Sequence, residues 1–436
     1  MIFTLAGASI ILYSFINYKK SFIFYLAFKL LLVTNITLIS IPGIPLLTLD
    51  MFMSLTYTVL FFIGKKQNNS DIMPFPYKNP LILITVTMVV SSVFSMAGFM
   101  SELSSLIGGL LQNVFLFWLM WRILKKKEDF FLLFKLFTVL FFCSCLYGFW
   151  EYLIQSNPIV QYEATLNKDA SKVIHWTYST TFRGYRVQSF FEHTIGAGIN
   201  WSMYCIFILV IYVNNKMNVP YKKLAQLTAL LCVPCIILTK MRGPIVFFLI
   251  ALLSIANFKK KKFYYLILIM AVTIAVLWPV FSENANIILS LVDSSAQKEI
   301  SGSTLSQRTN QFTAAFELLK MSPVWGLGSK FANVYYDKNV HNLLGGESIW
   351  LTIITNYGIM GLISYILMAY YSIIKIPKKF DSKAMAFIAL AYWVTNSVTS
   401  VPGMHMYMYY LIMIYFMKTS QYYSSLSKRL QTPQKA

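Results

Sequence analysis

Apolar residues run in long unbroken blocks along this chain, with little of the alternation that marks a half-buried strand. A block of about 17 to 25 such residues is long enough to cross a hydrocarbon core of about 30 Å as a helix. Thirteen candidates emerge, beginning with Ile2 to Ile16, Phe22 to Ile41, Leu46 to Gly64, Leu81 to Met100, Leu103 to Leu124 and Phe130 to Ile154. The others are Thr194 to Val213, Leu224 to Leu238, Pro244 to Asn257, Phe263 to Phe281, Ser348 to Ile374, Ala384 to Val398 and His405 to Met417. The first has no basic segment before it and no small-residue cleavage site after it, so it reads as an uncleaved span. The pattern predicts an all-α fold, a polytopic transmembrane helix bundle of about 12 to 13 spans.

Most connections are tight turns, and two are long: Gln155 to His193 and Ser282 to Glu347. The second opens with Thr304-Leu-Ser-Gln307, a capping-box pattern, followed by Phe312, Phe316 and Leu319 on one helical face before Ser322-Pro323 ends the run. A short amphipathic helix from Leu305 to Met321, lying on the outer membrane surface, is expected there. The chain thus divides into an N-terminal bundle (1–154), a first long outer loop (155–193), middle spans (194–281), a large outer loop (282–347), C-terminal spans (348–418) and a tail (419–436).

Composition agrees: 57% of residues are hydrophobic and only 12% charged, against about a quarter in soluble domains. The net charge of +21 would suggest nucleic acid in a soluble protein, but here it has a topological origin. Alternate connections, starting with Lys19 and Lys20, hold 24 of the basic residues, and the opposite set holds 11. Basic residues beside spans stay in the cytoplasm, so the N-terminus is expected outside and the C-terminus inside. Lys29 and Lys135 lie within spans near their inner ends, where snorkelling is expected. The basic excess then implies attraction to anionic membrane lipid and no nucleic-acid partner. The five cysteines, Cys143, Cys145, Cys205, Cys232 and Cys235, fall inside spans, where packing accounts for the Cys232-Val-Pro-Cys235 pair better than redox chemistry does.

The informative residues break the orientation rule. Lys240 and Arg242 sit in the short outer turn Thr239-Lys-Met-Arg-Gly243; Arg183 and Arg186 precede the span near Thr194; Arg308 stands on the amphipathic helix. A guanidinium binds phosphate oxygens bidentately and keeps its charge at any accessible pH, so several at one membrane face suit a diphosphate. The bland alternative pairs each of them with one of eleven outer acids, Glu102 and Glu151 among them. Proton-transfer candidates are His341 and Glu347, which precede the span from Ser348, with His193 behind them.

These residues fall in recognisable strings. Arg308-Thr-Asn-Gln-Phe-Thr-Ala-Ala-Phe-Glu-Leu-Leu-Lys-Met-Ser-Pro323-Val-Trp-Gly326-Leu-Gly328, then an acidic and His-bearing segment, then Asn356-Tyr-Gly358-Ile-Met-Gly361, resembles the signature of the O-antigen ligase and polymerase family. Arg186-Val-Gln-Ser-Phe-Phe-Glu-His-Thr and Lys240-Met-Arg242-Gly-Pro extend the likeness, which spans roughly Arg183 to Leu367. That family consists of polytopic bacterial glycosyltransferases acting on undecaprenyl-diphosphate-linked sugars, and a GT-C-like bundle is implied. It commonly places a His about eleven residues before the first glycine of its Gly-x-x-Gly pair. Here that position is Glu347, with His341 six residues earlier, and the acid favours a polymerase over a ligase.

The resemblance implies attack by an acceptor hydroxyl on the anomeric carbon of a lipid-diphosphate-linked glycan at the outer face of the cytoplasmic membrane. Arg183 or Arg186, Arg242 and Arg308, with Lys240, would hold the diphosphate and offset its developing charge. His341 or Glu347 would take the acceptor proton. Trp176, Tyr178, Tyr185, Tyr335 and Tyr336 are candidates to stack on sugar rings. No Asp-x-Asp metal motif occurs, and neither metal nor cofactor is expected. The implied partners are donor and acceptor undecaprenyl-diphosphate glycans, a chain-length regulator and a flippase. The product would be a surface polysaccharide such as O-antigen or capsule. A ligase moving finished glycan is the alternative. A flippase fits less well, because transporters place ionisable groups near the midplane.

Overall fold

The computed structural model describes residues 2–31, 36–39, 47–64, 74–166, 185–191, 193–214, 221–256, 264, 305–339, 347–399 and 405–420. Within them the chain is a bundle of helices with a single two-stranded ribbon. In chain order these are α1 (Ile2–Ile16), α2 (Tyr18–Phe28), β1 (Thr37–Ile39), β2 (Leu47–Thr48), α3 (Leu49–Ile63) and α4 (Lys78–Val93). Next come α5 (Phe99–Ile123), α6 (Lys127–Ile154), α7 (Pro158–Leu166), α8 (Thr194–Asn214), α9 (Lys222–Leu238) and α10 (Arg242–Leu252). The rest are α11 (Leu305–Met321), α12 (Ser329–Lys338), α13 (Ile349–Lys379), α14 (Lys383–Ser397) and α15 (His405–Thr419). The helices α5, α6, α8 and α13 are long and apolar enough to cross a membrane; α1, α3, α4 and α10 are shorter apolar helices. The all-α, membrane-embedded class is therefore as expected, and the candidate span from Phe263 to Phe281 lies outside the described residues, apart from Tyr264.

The second expected span is not one helix. From Phe22 the helix runs only to Phe28, and the chain then contributes β1, antiparallel to β2 with Thr37 opposite Thr48. Lys29 supplies the reason. It does not snorkel: at 3% exposure it is ion-paired with Asp50, which is fully buried in the first turn of α3. Tyr25 Oη and Gln112 Nε2 each donate to the same carboxylate at 2.8 Å. Two charges drawn from water so completely need every lone pair engaged, and ending the helix at residue 28 lets the lysine turn inward. Removing one partner leaves the other charge bare. Asp50→Asn is expected to lower stability by about 3–5 kcal/mol, and the double change with Lys29→Met to recover most of it, measured as thermal unfolding in detergent. Lys135, by contrast, is exposed, with its ammonium 5.3 Å from the centre of the Tyr221 ring.

Helix α8 occupies the centre, buried along most of its length against α6, α9, α10 and α15. Close approach is possible because it carries Gly198, where a Cβ would stand 2.5 Å from the Pro244 ring of α10. In turn, a Cβ on Gly243 would come within 2.6 Å of Thr399, after the end of α14. Thus the N-terminus of α10 is wedged between α8 and α14. The cysteines behave as packing residues: Cys145 and Cys232 Sγ atoms lie 3.7 Å apart and Cys205 is buried against Ala229, all as free thiols.

Candidate diphosphate site

Three chain segments meet at the N-terminus of α10. The first is the turn between α9 and α10. Thr239 ends α9, and Lys240 adopts a left-handed conformation (φ 52°), a position usually given to glycine or asparagine and costing a lysine roughly 1 kcal/mol. That kink reverses the chain so that Arg242 falls in the first turn of α10. Its guanidinium is partly buried, and its Nε and Nη2 have no hydrogen-bond partner among the described residues.

The second segment is 185–191, which runs beside the same turn. Val187 N donates to Leu238 O at 3.1 Å, and Arg186 Nη1 lies 3.8 Å from Met241 Sδ. Glu151, near the end of α6, fixes this segment. Its buried carboxylate accepts from Ser189 N at 2.6 Å, Gln188 N at 3.2 Å and Tyr185 Oη at 3.0 Å. Asn157 Nδ2 donates to Ser189 O at 2.6 Å, and Ser189 Oγ to Ser144 O at 2.9 Å, which secures a left-handed residue (Ser189, φ 55°). Glu151 therefore serves the backbone beneath Arg186, not an arginine. Glu151→Gln halves the acceptor capacity of that side chain and should lower stability by about 2 kcal/mol, measured as thermal unfolding in detergent. Tyr185, a candidate for sugar stacking, is 5% exposed with its hydroxyl on Glu151, so it is a packing residue.

The third segment is α11 with the loop that follows. Arg308 lies in the first turn of α11, within electrostatic reach of Arg242, and so does Glu347, just before α13. The helix spans Leu305–Met321, the range expected from sequence. Gln311, Ala315 and Leu318 are its buried face and pack towards α13, whereas Phe312 and Phe316 are half exposed on the other side.

The loop from Pro323 to Gly328 is threaded into a break in α13. Leu327 N and Gly328 N donate to Thr355 O and Asn356 O at 2.9 and 3.1 Å, while Ile359 N and Met360 N donate to Pro323 O and Val324 O at 2.9 and 3.2 Å. Gly358, at φ 63°, is the break itself. Glu102, 1% exposed near the start of α5, holds the far end by accepting from Ser329 Oγ at 2.9 Å and Lys330 N at 2.5 Å. So Glu102 too is committed elsewhere, and two of the eleven acids available to pair with arginine are accounted for.

Electrostatics distinguish the candidate bases. Burial, with the neighbouring Arg186 charge, pushes His193 down to about 4, so it is a neutral ring at pH 7 and a weak proton acceptor. Its Nδ1 instead accepts from Ile195 N at 3.1 Å, capping the start of α8. Burial also pulls Arg186 below its ordinary value, though not far enough to discharge a guanidinium at neutral pH. Of the residues expected at the site, the structure gathers Arg186, Lys240, Arg242, Arg308 and Glu347 around the start of α10; Arg183 and His341 lie outside the described residues, as do Trp176 and Tyr178.

Arg242 and Arg308 share one electrostatic oddity. Each sits in the first turn of its helix, where the positive end of the helix dipole disfavours a cation by about 0.3–1 kcal/mol. Two guanidiniums in each other's field at two helix N-termini form a site that an anion would relieve.

Residues 227–366 match the family model described as O-antigen ligase. The match begins within α9 and ends within α13, taking in Lys240, Arg242, Arg308, Glu347 and the interlocked glycine segments, whereas Arg186 lies well before it. No curated protein matches the chain. Over that stretch this membrane protein is similar to the O-antigen ligase family, as its arginine and glycine strings imply, and the match supports a ligase/polymerase-type activity.

Proposed function

We propose that the protein polymerises undecaprenyl-diphosphate-linked oligosaccharide repeat units into a cell-surface polysaccharide, with its N-terminus outside, its C-terminus in the cytoplasm and the arginine cluster at the outer face. The observation that carries this reading is Arg242: two buried guanidinium nitrogens without hydrogen-bond partners among the described residues, in the field of Arg308, at a helix N-terminus. Buried charged donors left unsatisfied are costly, and a diphosphate is the anion whose paired, multiply charged oxygens answer a group of such forks.

In the proposed step the acceptor sugar hydroxyl attacks the anomeric carbon, a glycosidic bond forms, and the bond from that carbon to the diphosphate oxygen breaks. Arg242 and Arg308 take up the charge that develops on the departing lipid diphosphate, with Arg186 and Lys240 beside them and Arg183 as the remaining expected contact. The acceptor proton passes to Glu347, which stands in electrostatic reach of Arg242, or to His341. These arginines do electrostatically what a bound metal does in other glycosyl transfers.

The alternative, a ligase moving finished glycan to a different acceptor, predicts another accumulated species. Cells lacking the protein should hold single repeat units on the lipid carrier if it polymerises, and long polymer still on that carrier if it ligates; recovery of long carrier-linked polymer would overturn the polymerase reading. Passage of lipid-linked glycan across vesicles holding the protein, with no extension, would instead place it among flippases.

A further inference from the structure

At the other end of α5, away from the glycosyl-transfer site, a second group of cations sits against aromatic rings. Arg122 ends the helix, and its guanidinium carbon lies 5.4 Å from the centre of the Trp118 ring. Lys418, in the last turn of α15, places its ammonium 3.9 Å from the centre of the Trp121 ring, itself 2% exposed. Arg122, Lys125 and Lys418 lie in one another's field, since both Arg122 and Lys125 act on the lysine. The acid of this group is already engaged: Asp129 Oδ2 accepts from Lys125 N at 3.0 Å, Lys126 N at 2.8 Å and Lys19 Nζ at 2.6 Å. Glu128 beside it is exposed.

Arg122 carries the second observation. Its Nε and Nη1 are buried, with no hydrogen-bond partner among the described residues. The Nε–H and Nη1–H groups lie on different edges of the guanidinium, so each calls for its own acceptor oxygen, as the oxygens of a phosphate can supply.

The surroundings choose between a lipid and a soluble anion. Trp118 stacks on Phe62 at 5.8 Å, and Phe62 is 47% exposed beside Ile63, which is 76% exposed. An apolar, outward-facing strip therefore runs directly from the cationic group along the bundle surface, where acyl chains would lie. A free phosphate gains nothing from that strip. We propose that Arg122 and Lys418 bind the phosphodiester of an anionic phospholipid, its acyl chains lying along Trp118, Phe62 and Ile63. The orientation expected from the charge tally puts this site in the cytoplasmic leaflet, which is the negatively charged one.

The test is native mass spectrometry of the full chain, first stripped in detergent and then titrated with phosphatidylglycerol or phosphatidylcholine of identical acyl chains. Phosphatidylglycerol should be retained about 10- to 30-fold more tightly, as expected of two basic residues. Arg122→Gln and Lys418→Gln should each bring it close to phosphatidylcholine, with Arg122→Lys falling between because it keeps the charge and loses the fork. Circular dichroism melts on the same samples identify any variant that has unfolded, and Arg122→Lys then carries the comparison. Millimolar inorganic phosphate should leave the lipid bound. Equal retention of the two lipids by the unaltered protein, undiminished preference in folded Arg122→Gln, or displacement by inorganic phosphate would each overturn the proposal.

Discussion

Replacing Arg242 or Arg308 with glutamine is expected to slow glycan elongation by about 10²- to 10³-fold, the loss usual when one preorganised donor to a developing anion is removed. Stability should stay level or rise slightly. Both cations stand at helix N-termini, where the dipole opposes them, and Arg242 has buried guanidinium nitrogens without partners among the described residues. A residue kept for packing would behave in the opposite way, losing stability and activity together. In vitro polymerisation of a lipid-linked repeat unit, run beside a thermal melt of the same preparations, separates the two. Arg242→Lys should restore only part of the rate, because an ammonium supplies the charge without the paired donors.

Gly358→Ala should do greater structural damage than any other single methyl group considered. The residue sits at φ 63° and ψ −159°, a region essentially reserved for glycine, and a Cβ there would stand 2.5 Å from Val324 O. Gly326 faces the same junction from the other side: at φ 74° its Cβ would lie 2.5 Å from the Asn356 carbonyl. Neither neighbour can yield, because both are backbone already committed to the hydrogen bonds that thread the loop into α13. A loss of about 4 kcal/mol or more is expected at Gly358, with α11 released from α13 and Arg308 displaced from Arg242. Limited proteolysis between α11 and α12 should accelerate in the variant. Cleavage and melting unchanged from the parent would show that the junction does not hold the site together.

The long apolar blocks and the capping pattern at Thr304 made the helices and α11 readable, because both depend on local spacing alone. The misfit of Lys240 and Arg242 with the charge asymmetry was readable for the same reason. What could not be read was long-range pairing. Lys29 and Asp50 are separated by 21 positions and each resembles an isolated in-span charge, so the early end of α2 and the ribbon after it left no local mark. Glu102 and Glu151 read as ordinary outer acids, yet each collects backbone amides from far along the chain, 228 positions away for Lys330. The glycine strings were recognisable as a pattern, but their reason, two chain segments passing too close for any side chain, exists only in three dimensions. The likeness of the site to a diphosphate clamp needed both kinds of information: the arginines from sequence, and their meeting at the start of α10 from the fold.

The central claim is that Arg242 and Arg308 grip a single lipid diphosphate together. A double-mutant cycle on the affinity for a polyprenyl diphosphate, using Arg242→Gln, Arg308→Gln and the pair, addresses it directly. Each single change should weaken binding by about 10-fold or more, and the pair by clearly less than the product of the two, since either arginine alone loses the bridging geometry. Unchanged affinity in both single variants, or losses that multiply as independent sites would, contradicts a shared clamp.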